Sequence, residues 1–156
     1  MPSDDIEYAG FWVRVAASLI DTLLIVFITI PLLFAIYGKS YFGGSSGGFF
    51  AGLADLLISW VAPPVAAIVF WQYKQATPGK MVFSARVVDA KTGNTLSLAQ
   101  SVGRYLGYFV STIPFGLGLL WVAFDPKKQG WHDKLAGTVV VRSKHHGQVP
   151  VEFEEA

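Results

Sequence analysis

The stretch that decides the fold is YAGFWVRVAASLIDTLLIVFITIPLLFAIY, which runs from Tyr8 to Tyr37. It exceeds the roughly 20 apolar residues that a helix needs to cross a bilayer. It carries one basic and one acidic residue, Arg14 and Asp21. At about 100° and 1.5 Å per residue, both side chains lie on one helix face, roughly 10 Å apart along the axis. A carboxylate at this depth is costly unless it faces protein, water or a cation, so we expect Asp21 to have a partner.

The composition of the whole chain is typical of membrane proteins. Of its 156 residues 53% are hydrophobic and 15% are charged, and the mean hydropathy is +0.46. Two further apolar stretches follow the first, at 49–73 and 105–124. We therefore predict a membrane all-α fold, a polytopic helical bundle, with helices at about 11–37 and 49–73 and a helical hairpin at about 97–124.

The third apolar stretch is open to two interpretations, a hairpin or one straight span. Its centre reads Ile-Pro-Phe-Gly-Leu-Gly (113–118), which is typical of a turn, and Ser97 is a candidate N-cap before it. Lysine and arginine are sparse in the loop at 38–48, which has only Lys39, and frequent in 73–104 and after 124. The positive-inside rule then places both the N- and the C-terminus on the cytoplasmic side of the membrane. A straight third span would move the basic C-terminal segment outside, so the hairpin is favoured.

Two β-branched segments, at about 82–88 and 138–142, are predicted to be strands. Their apolar edges need partners, so we expect a small two-stranded cytoplasmic β-ribbon formed by these two segments. The pairing requires both strands to lie on one side of the membrane, which again favours the hairpin. The domain organisation is then a polar N-terminal tail (1–8), a membrane domain (9–144) and a disordered C-terminal tail (145–156).

Three motifs in a fixed order resemble the RDD family of small prokaryotic integral membrane proteins, named for one arginine and two aspartates. The motifs are Arg14-(x)6-Asp21, Thr-Pro-Gly-Lys (77–80) leading to Arg86-Val-Val-Asp89, and Trp131-His132-Asp133-Lys-Leu-Ala-Gly-Thr-Val-Val-Val141. The resemblance covers about 130 residues, from the first helix to the last strand.

The resemblance implies roles for individual residues. Arg14 matches the arginine and Asp21 the first aspartate, while Asp133 is our choice for the second and Asp125 its alternative. The resemblance also implies a prokaryotic cytoplasmic (inner) membrane as the location. It directs attention to transport, because some members are described as sodium/proton antiporters. Many other members are domains attached to unrelated partners, so the resemblance by itself assigns no substrate.

Asp21 has a functional and a structural interpretation. As a buried carboxylate it can exchange H⁺ for a metal cation, with Arg14 and Asp133 as partners. As a structural group it would pair with Arg14 or Arg104 and accept a hydrogen bond from a serine or threonine of a neighbouring segment. Both interpretations require the side chain to face protein.

Secondary candidates accompany these three residues. Asp55 is predicted to lie near the outer interface, too far from Asp21 to share an ion, as a capping group or a second station on an ion path. His132 beside Asp133 is a candidate gate or proton collector at the inner mouth. Structurally, Asp133 would cap a short helix and form a salt bridge with Arg86 or Arg104. The remaining secondary candidate is Asp125, the alternative to Asp133 as the second aspartate.

We predict an integral membrane protein that transports cations or small solutes, with exchange of Na⁺, Li⁺ or K⁺ for H⁺ through Asp21. Few helices enclose little volume, so a homo-oligomer or a partner membrane subunit is expected. The alternative is a non-transporting adaptor or scaffold subunit that docks a partner through its cytoplasmic ribbon. The chain has no cysteine and shows no zinc-ligand spacing, phosphate-binding loop or nucleophile motif, so we expect no metal, cofactor or enzyme activity. Its net charge of +1 gives no reason to expect nucleic acid as a partner, leaving membrane lipids as the expected surroundings.

Overall fold

The computed structural model of the chain describes residues 6–44 and 51–143. Two helices are long and apolar enough to cross a membrane. The first, α1, is Phe11–Tyr37 and continues as a 3-10 turn to Tyr41; the second, α2, is Leu53–Lys74. They confirm the two predicted long helices, although the predicted start of the second at residue 49 lies outside the described residues.

Helix α2 passes two adjacent prolines without breaking. A π-helical turn, Leu56–Val61, precedes the regular segment Ala62–Lys74, and Pro63 and Pro64 lie in the first turn of that segment. Proline has no amide hydrogen and clashes with the carbonyl four residues earlier, so a regular helix would kink here. The wider π turn accommodates the prolines, and the helix continues.

Three strands form one antiparallel sheet at one end of the two long helices. They are β1 (Ile6–Tyr8), β2 (Ala85–Asp89) and β3 (Thr138–Ser143), in the order β1-β3-β2. The predicted pairing of the second and third segments is confirmed, with Val87 opposite Val140. The predicted two-stranded ribbon is corrected to three strands, because residues 6–8, assigned to the polar tail, pair with β3.

The start of the second strand is also corrected. Val82, predicted as strand, ends a short helix α3, Pro78–Val82, and β2 begins three residues later. Thr77 is extended and Pro78 follows, and a proline in the first turn of a helix favours helix over strand. The apolar residues 81–83 therefore complete a helical turn rather than extend the strand.

The hairpin between β2 and β3 is present. Its first arm is α4, Leu98–Thr112, and its second is α5, Leu117–Leu120, followed by a 3-10 turn at Trp121–Ala123. The two arms are bent by 110° at the predicted Pro-Gly break. Ser97 is the N-cap of α4, and its hydroxyl oxygen accepts a hydrogen bond from the amide of Gln100.

The pairing of β2 with β3 decides the topology of this hairpin. A straight crossing between the two strands would separate them by the roughly 30 Å of a bilayer core, which no strand pairing can span. Strand β1 pairs with β3 as well, so the start of α1, the end of α2 and both ends of the hairpin lie on one side. A further short helix, α6 (Trp131–Ala136), leads into β3.

The described core lies around the sheet rather than between the spans. One face packs beneath α2 through Trp71, Val87 and Val140, while the other buries Tyr8 and Val139. In each long helix, only 6% of the most apolar 18-residue segment is buried within the protein. The chain is therefore mostly helical with two to three candidate spans and a small sheet, and a closely packed bundle stays a prediction.

The topology predicts a labelling pattern, which the absence of native cysteine makes simple to read. Single cysteines at the exposed positions Lys91 and Leu135 should react with an impermeant maleimide from the same side of oriented vesicles. A cysteine at exposed Lys39, beyond α1, should react only from the other side. Labelling of positions 91 and 135 from opposite sides would contradict the hairpin.

Candidate functional site

Asp133 is the centre of a buried ionic cluster. Its side chain has no solvent exposure, and both of its oxygens bind an arginine. Oδ2 accepts a hydrogen bond from Nη1 of Arg14 at 2.5 Å, and Oδ1 accepts one from Nη1 of Arg104. We call Arg14, Arg104 and Asp133 the arginine–aspartate cluster. One carboxylate thus neutralises only part of the charge of two guanidinium groups, of which that of Arg104 is buried and that of Arg14 is partly buried.

Local sequence places Asp133 at this point. It is the third residue of α6, where its Oδ2 accepts a hydrogen bond from the amide of Gly130 at 3.0 Å and caps the helix. The predicted capping role of Asp133 is thereby confirmed. Gly107 of α4 permits the close approach of α6, because a Cβ there would lie 2.9 Å from Cα of His132. That approach brings Arg104, one turn earlier on α4, to the carboxylate.

Arg14 connects the first helix to this cluster and does not contact Asp21. Its Nε donates to the carbonyl of Ala9 at 3.1 Å, and its Nη2 donates to the carbonyl of Lys128. Side chains of a helix point back toward its N-terminus, so Arg14 extends away from Asp21, which lies two turns further along. The predicted partnership of Arg14 and Asp21 is therefore wrong as a direct contact.

Asp21 instead holds the turn that follows α2. Its Oδ2 accepts a hydrogen bond from the Thr77 hydroxyl at 2.5 Å, and its Oδ1 accepts one from the Gly79 amide at 2.7 Å. A Cβ on Gly79 would lie 2.0 Å from the carbonyl oxygen of Ala17, so only glycine fits this approach. The predicted threonine partner is confirmed, whereas the predicted pairing of Asp21 with Arg14 or Arg104 is wrong.

Lys80 is a site residue that the sequence analysis did not select. Its side chain is 6% exposed, and its one hydrogen-bond acceptor among the described residues is the Thr77 hydroxyl at 3.5 Å. Burial lowers the pKa of Lys80, and the charges of Arg104 and Arg14 act in the same direction. The Thr-Pro-Gly-Lys motif was the available signal, but a lysine in a turn is ordinarily solvated.

Lys80 borders two cavities. The larger, about 470 Å³, lies between α1 and α2 and includes Asp21 and Thr77 in its wall. The smaller, about 250 Å³, lies toward α5 and includes Arg14 and Arg104. We call them the Asp21 cavity and the arginine cavity. The hydroxyl of Tyr108 lies 3.4 Å from Nη2 of Arg104, and Tyr108 lines both cavities.

His132 is buried against the same residues. Its amide donates to the Ser111 hydroxyl at 3.0 Å, and its ring stacks on Tyr108 with 4.1 Å between centroids. Burial lowers the pKa of His132 far below its ordinary value, and the charges of Arg104, Arg14 and Lys80 lower it further. The imidazole is therefore neutral at pH 7, and its Nε2 lies 3.5 Å from the Asp133 carboxylate.

Asp55 lies apart from the cluster, at the opposite end of the two spans. It is buried, and its carboxylate accepts hydrogen bonds from the Tyr41 and Ser59 hydroxyls, both at 2.9 Å. The amide of Ala51 donates to it at 3.0 Å. These contacts join the turn after α1 to the start of α2, in agreement with the capping interpretation.

Asp125 and Arg86 also lie outside the cluster. Asp125 forms an ion pair with Lys134 at 2.5 Å. Burial raises the pKa of Asp125, but hydrogen bonds from Lys134 and from the backbone lower that pKa by more. The pKa of Asp125 is therefore below its ordinary value. Arg86 lies in β2 opposite Val141, and Arg104, rather than Arg86, forms the predicted salt bridge with Asp133. Within residues 6–44 and 51–143, no three acidic, histidine or cysteine side chains group to hold a metal ion.

These features define a class: a small integral membrane protein with two long candidate spans, a pair of helices bent by 110°, and an arginine–aspartate cluster next to a three-stranded sheet. The chain belongs to the RDD family, whose model matches residues 8–137. Arg14, Asp21, Asp125 and Asp133 all lie within the match. The comparison thus confirms the resemblance, and the choice between Asp125 and Asp133 as the second aspartate stays a prediction.

Bacterial relatives support this membership. The uncharacterized membrane protein YteJ of Bacillus subtilis is 34% identical over 142 residues, which cover 88% of this chain and 82% of YteJ. The uncharacterized protein RP437 of Rickettsia prowazekii is 43% identical over 76 residues, 49% of this chain and 42% of RP437. A proline-rich antigen homolog of Mycobacterium tuberculosis is 35% identical over 81 residues, 48% of this chain and 34% of that protein. No solved structure matches the chain.

The close approach at Gly79 predicts a large effect of one methyl group. Gly79→Ala should lower the free energy of unfolding by about 1–3 kcal/mol, because the Cβ collides with backbone rather than with a flexible side chain. Thermal unfolding in detergent measures the change. Gly103→Ala is the matched control, since that helical glycine has open space around it and alanine there should be neutral or slightly stabilising. Equal melting temperatures for the two variants would contradict the docking of this turn on α1.

The depressed pKa of His132 predicts a pH dependence of stability. Below the unfolded-state pKa of about 6.5 the unfolded chain binds a proton that the folded chain does not, so stability is lost as the pH falls. Between pH 6.5 and pH 5, the wild type should lose up to about 1.4 kcal/mol per pH unit through this group. His132→Gln should flatten the slope in a series of thermal melts. Parallel slopes for the two proteins would show that the imidazole is not buried in its neutral form.

Proposed function

We propose that this RDD-family membrane protein transports small charged solutes, and specifically that it exchanges a monovalent cation for a proton at Asp21. The observation that carries the proposal is the Asp21 cavity, about 470 Å³, whose wall contains a carboxylate, a hydroxyl and a buried amine. Oxygen ligands suit Na⁺ and Li⁺, as they suit other hard cations. The amine of Lys80 offers a proton to be exchanged.

The hydrogen bonds of Asp21 support a simple exchange step. The Thr77 hydroxyl donates to Asp21 and accepts from Lys80, so these three groups form a chain from carboxylate to amine. A cation bound by the Asp21 and Thr77 oxygens would cancel the negative charge that stabilises protonated Lys80. Burial already lowers the pKa of Lys80, so cation entry would release its proton, one positive charge replacing another.

The surroundings of this cavity support an assembly larger than one protomer. Only 6% of the most apolar 18-residue segment of each long helix is buried within the protein. Most of the apolar surface of these helices therefore faces lipid or another protein. We therefore propose a homo-oligomer, or a complex with a partner membrane subunit, in which the cavity becomes part of an enclosed path. The proposed orientation has the sheet on the cytoplasmic side, as the distribution of lysine and arginine favours.

Flux through proteoliposomes tests the exchange. With an internal pH-sensitive dye, the wild type should respond to pulses of Na⁺, Li⁺ or K⁺, while Asp21→Asn and Lys80→Met should abolish the response. Thr77→Val is the matched control, because it breaks the same hydrogen-bonded turn but retains both charged groups. It should keep the exchange with a higher KM for the cation.

Three outcomes would overturn the proposal of exchange at Asp21. A folded wild type that gives no response to any of the three cations would remove it. Equal losses in Thr77→Val and Asp21→Asn, in parallel with equal losses of thermal stability, would show that Asp21 acts only as a structural cap. A response that is retained in Asp21→Asn would assign the exchange to a different group.

The second candidate is a non-transporting adaptor or scaffold subunit that docks a partner through the sheet. It is favoured by the engagement of both oxygens of Asp21 and of Asp133 in hydrogen bonds, which is the arrangement of a rigid structural core. Two observations together would favour this candidate. The folded, stable protein would show no flux, and the wild type and Asp21→Asn would be recovered from membranes with the same partner.

A further inference from the structure

The arginine cavity is chemically different from the Asp21 cavity. Three cationic side chains, Arg14, Lys80 and Arg104, line it, and no aspartate or glutamate of the described residues does. Lys80 and Arg104 are almost fully buried, with relative exposures of 6% and 0%. Buried positive charge at the wall of an open cavity attracts anions strongly, because little water screens it.

The donors around this cavity are not saturated by the protein. Nε of Arg104 is buried and has no hydrogen-bond acceptor among the described residues. Nζ of Lys80 has only the 3.5 Å contact to Thr77, although an ammonium group can donate three hydrogen bonds. A buried charged donor that lacks acceptors is costly, so Lys80 calls for an oxygen-rich anion. Nε of Arg104 is closed off from the cavity, so Arg104 contributes its charge rather than this donor.

The charge count around the cluster leads to the same conclusion. Asp133 shares its one negative charge between Arg14 and Arg104, and the Asp21 carboxylate binds Thr77 and Gly79. Three cationic side chains, of which Lys80 and Arg104 are buried and Arg14 is partly buried, therefore face two carboxylates. One additional negative charge in the arginine cavity would balance the site.

The remaining wall of the cavity is apolar. Phe11, Val15 and Leu19 of α1 face Leu119 and Val122 of the hairpin across it. A cavity of about 250 Å³ has room for roughly eight water-sized groups at about 30 Å³ each, which is a phosphate and several carbon atoms. Basic pockets between membrane helices are known binding sites for lipid headgroups.

We propose that the arginine cavity binds a phosphate oxyanion, and that in the membrane this is the phosphodiester of an anionic phospholipid. The phosphate oxygens accept hydrogen bonds from Nζ of Lys80, and the charges of Arg14 and Arg104 add to the attraction. The first carbons of the lipid lie against Phe11, Leu19 and Leu119. This site goes beyond the proposed transport function and does not depend on it, because binding requires no gradient and no flux.

The test is lipid binding by the purified full-length protein in detergent. After delipidation, phosphatidylglycerol should raise the melting temperature of the wild type by several degrees, and phosphatidylcholine, which has no net charge, should not. Lys80→Met should weaken the phosphatidylglycerol effect about tenfold in midpoint concentration, as expected for loss of one charge-assisted hydrogen bond. Lys74→Met is the matched control, since Lys74 is an exposed cation at the end of α2 and its loss should leave the midpoint unchanged.

The arms of the experiment separate the two sources of phosphate. If inorganic phosphate alone raises the melting temperature of the wild type as much as phosphatidylglycerol does, and does not raise that of Lys80→Met, the site binds the free ion. Equal shifts with phosphatidylcholine, or equal weakening by Lys74→Met and Lys80→Met, would overturn the proposal. Should Lys80→Met fail to fold, Lys80→Gln removes the charge but keeps a hydrogen-bond donor, and an unchanged midpoint in that variant would overturn the proposal equally.

Discussion

The structure depends most on the ion pairs of the buried Asp133 carboxylate with two arginines, Arg14 and Arg104. This carboxylate joins α1 through Arg14, α4 through Arg104 and β3 through the hydroxyl of Thr138, which lies 3.4 Å from Oδ1. Segments from both ends and the middle of the chain thus meet at one group. Removing one member of a buried ion pair costs about 3–5 kcal/mol, because it leaves the other charge uncompensated. The cluster therefore fixes how the sheet sits beneath the spans.

The second constraint is the attachment of the Thr-Pro-Gly-Lys turn to α1. The Asp21 carboxylate accepts hydrogen bonds from the Thr77 hydroxyl and the Gly79 amide. Because Gly79 has no side chain, the turn can contact the backbone of Ala17. This contact has a further consequence for Lys80, the next residue. Because the turn docks on α1, Lys80 is buried rather than solvated. Its side chain lines both the Asp21 cavity and the arginine cavity.

The two cavities differ in electrostatic character although they share lining residues, among them Lys80 and Tyr108. The Asp21 cavity presents oxygen ligands with one buried amine, which supports the proposal of cation–proton exchange. The arginine cavity presents three cationic side chains, and Nζ of Lys80 makes only one long hydrogen bond, which supports the proposal of phosphate binding. Lys80 belongs to both sites. An anion bound in the second cavity would hold Lys80 in its protonated form, so lipid and cation would act on the same proton in opposite directions.

The sequence by itself determined the elements whose formation depends on local composition. The two long apolar helices, the break at Pro114, the cap at Ser97 and the pairing of the two valine-rich strands all follow from hydrophobic length, turn residues and β-branched runs. It also determined that Asp21 must face protein, because lipid does not tolerate a carboxylate, and that Asp133 would cap a helix. The same patterns carried the family resemblance.

Only the tertiary structure decided which charges meet. Arg14 and Asp21 share a helix face, yet side-chain direction sends Arg14 toward Asp133, more than one hundred residues later in the chain. Strand β1 is too short to be recognised without its partner, since its three residues, including Glu7, form a strand only when β3 supplies the hydrogen bonds. Lys80 becomes buried only because Gly79 touches α1. Contacts between distant segments have no signature in local periodicity, so they emerge only once the chain has folded.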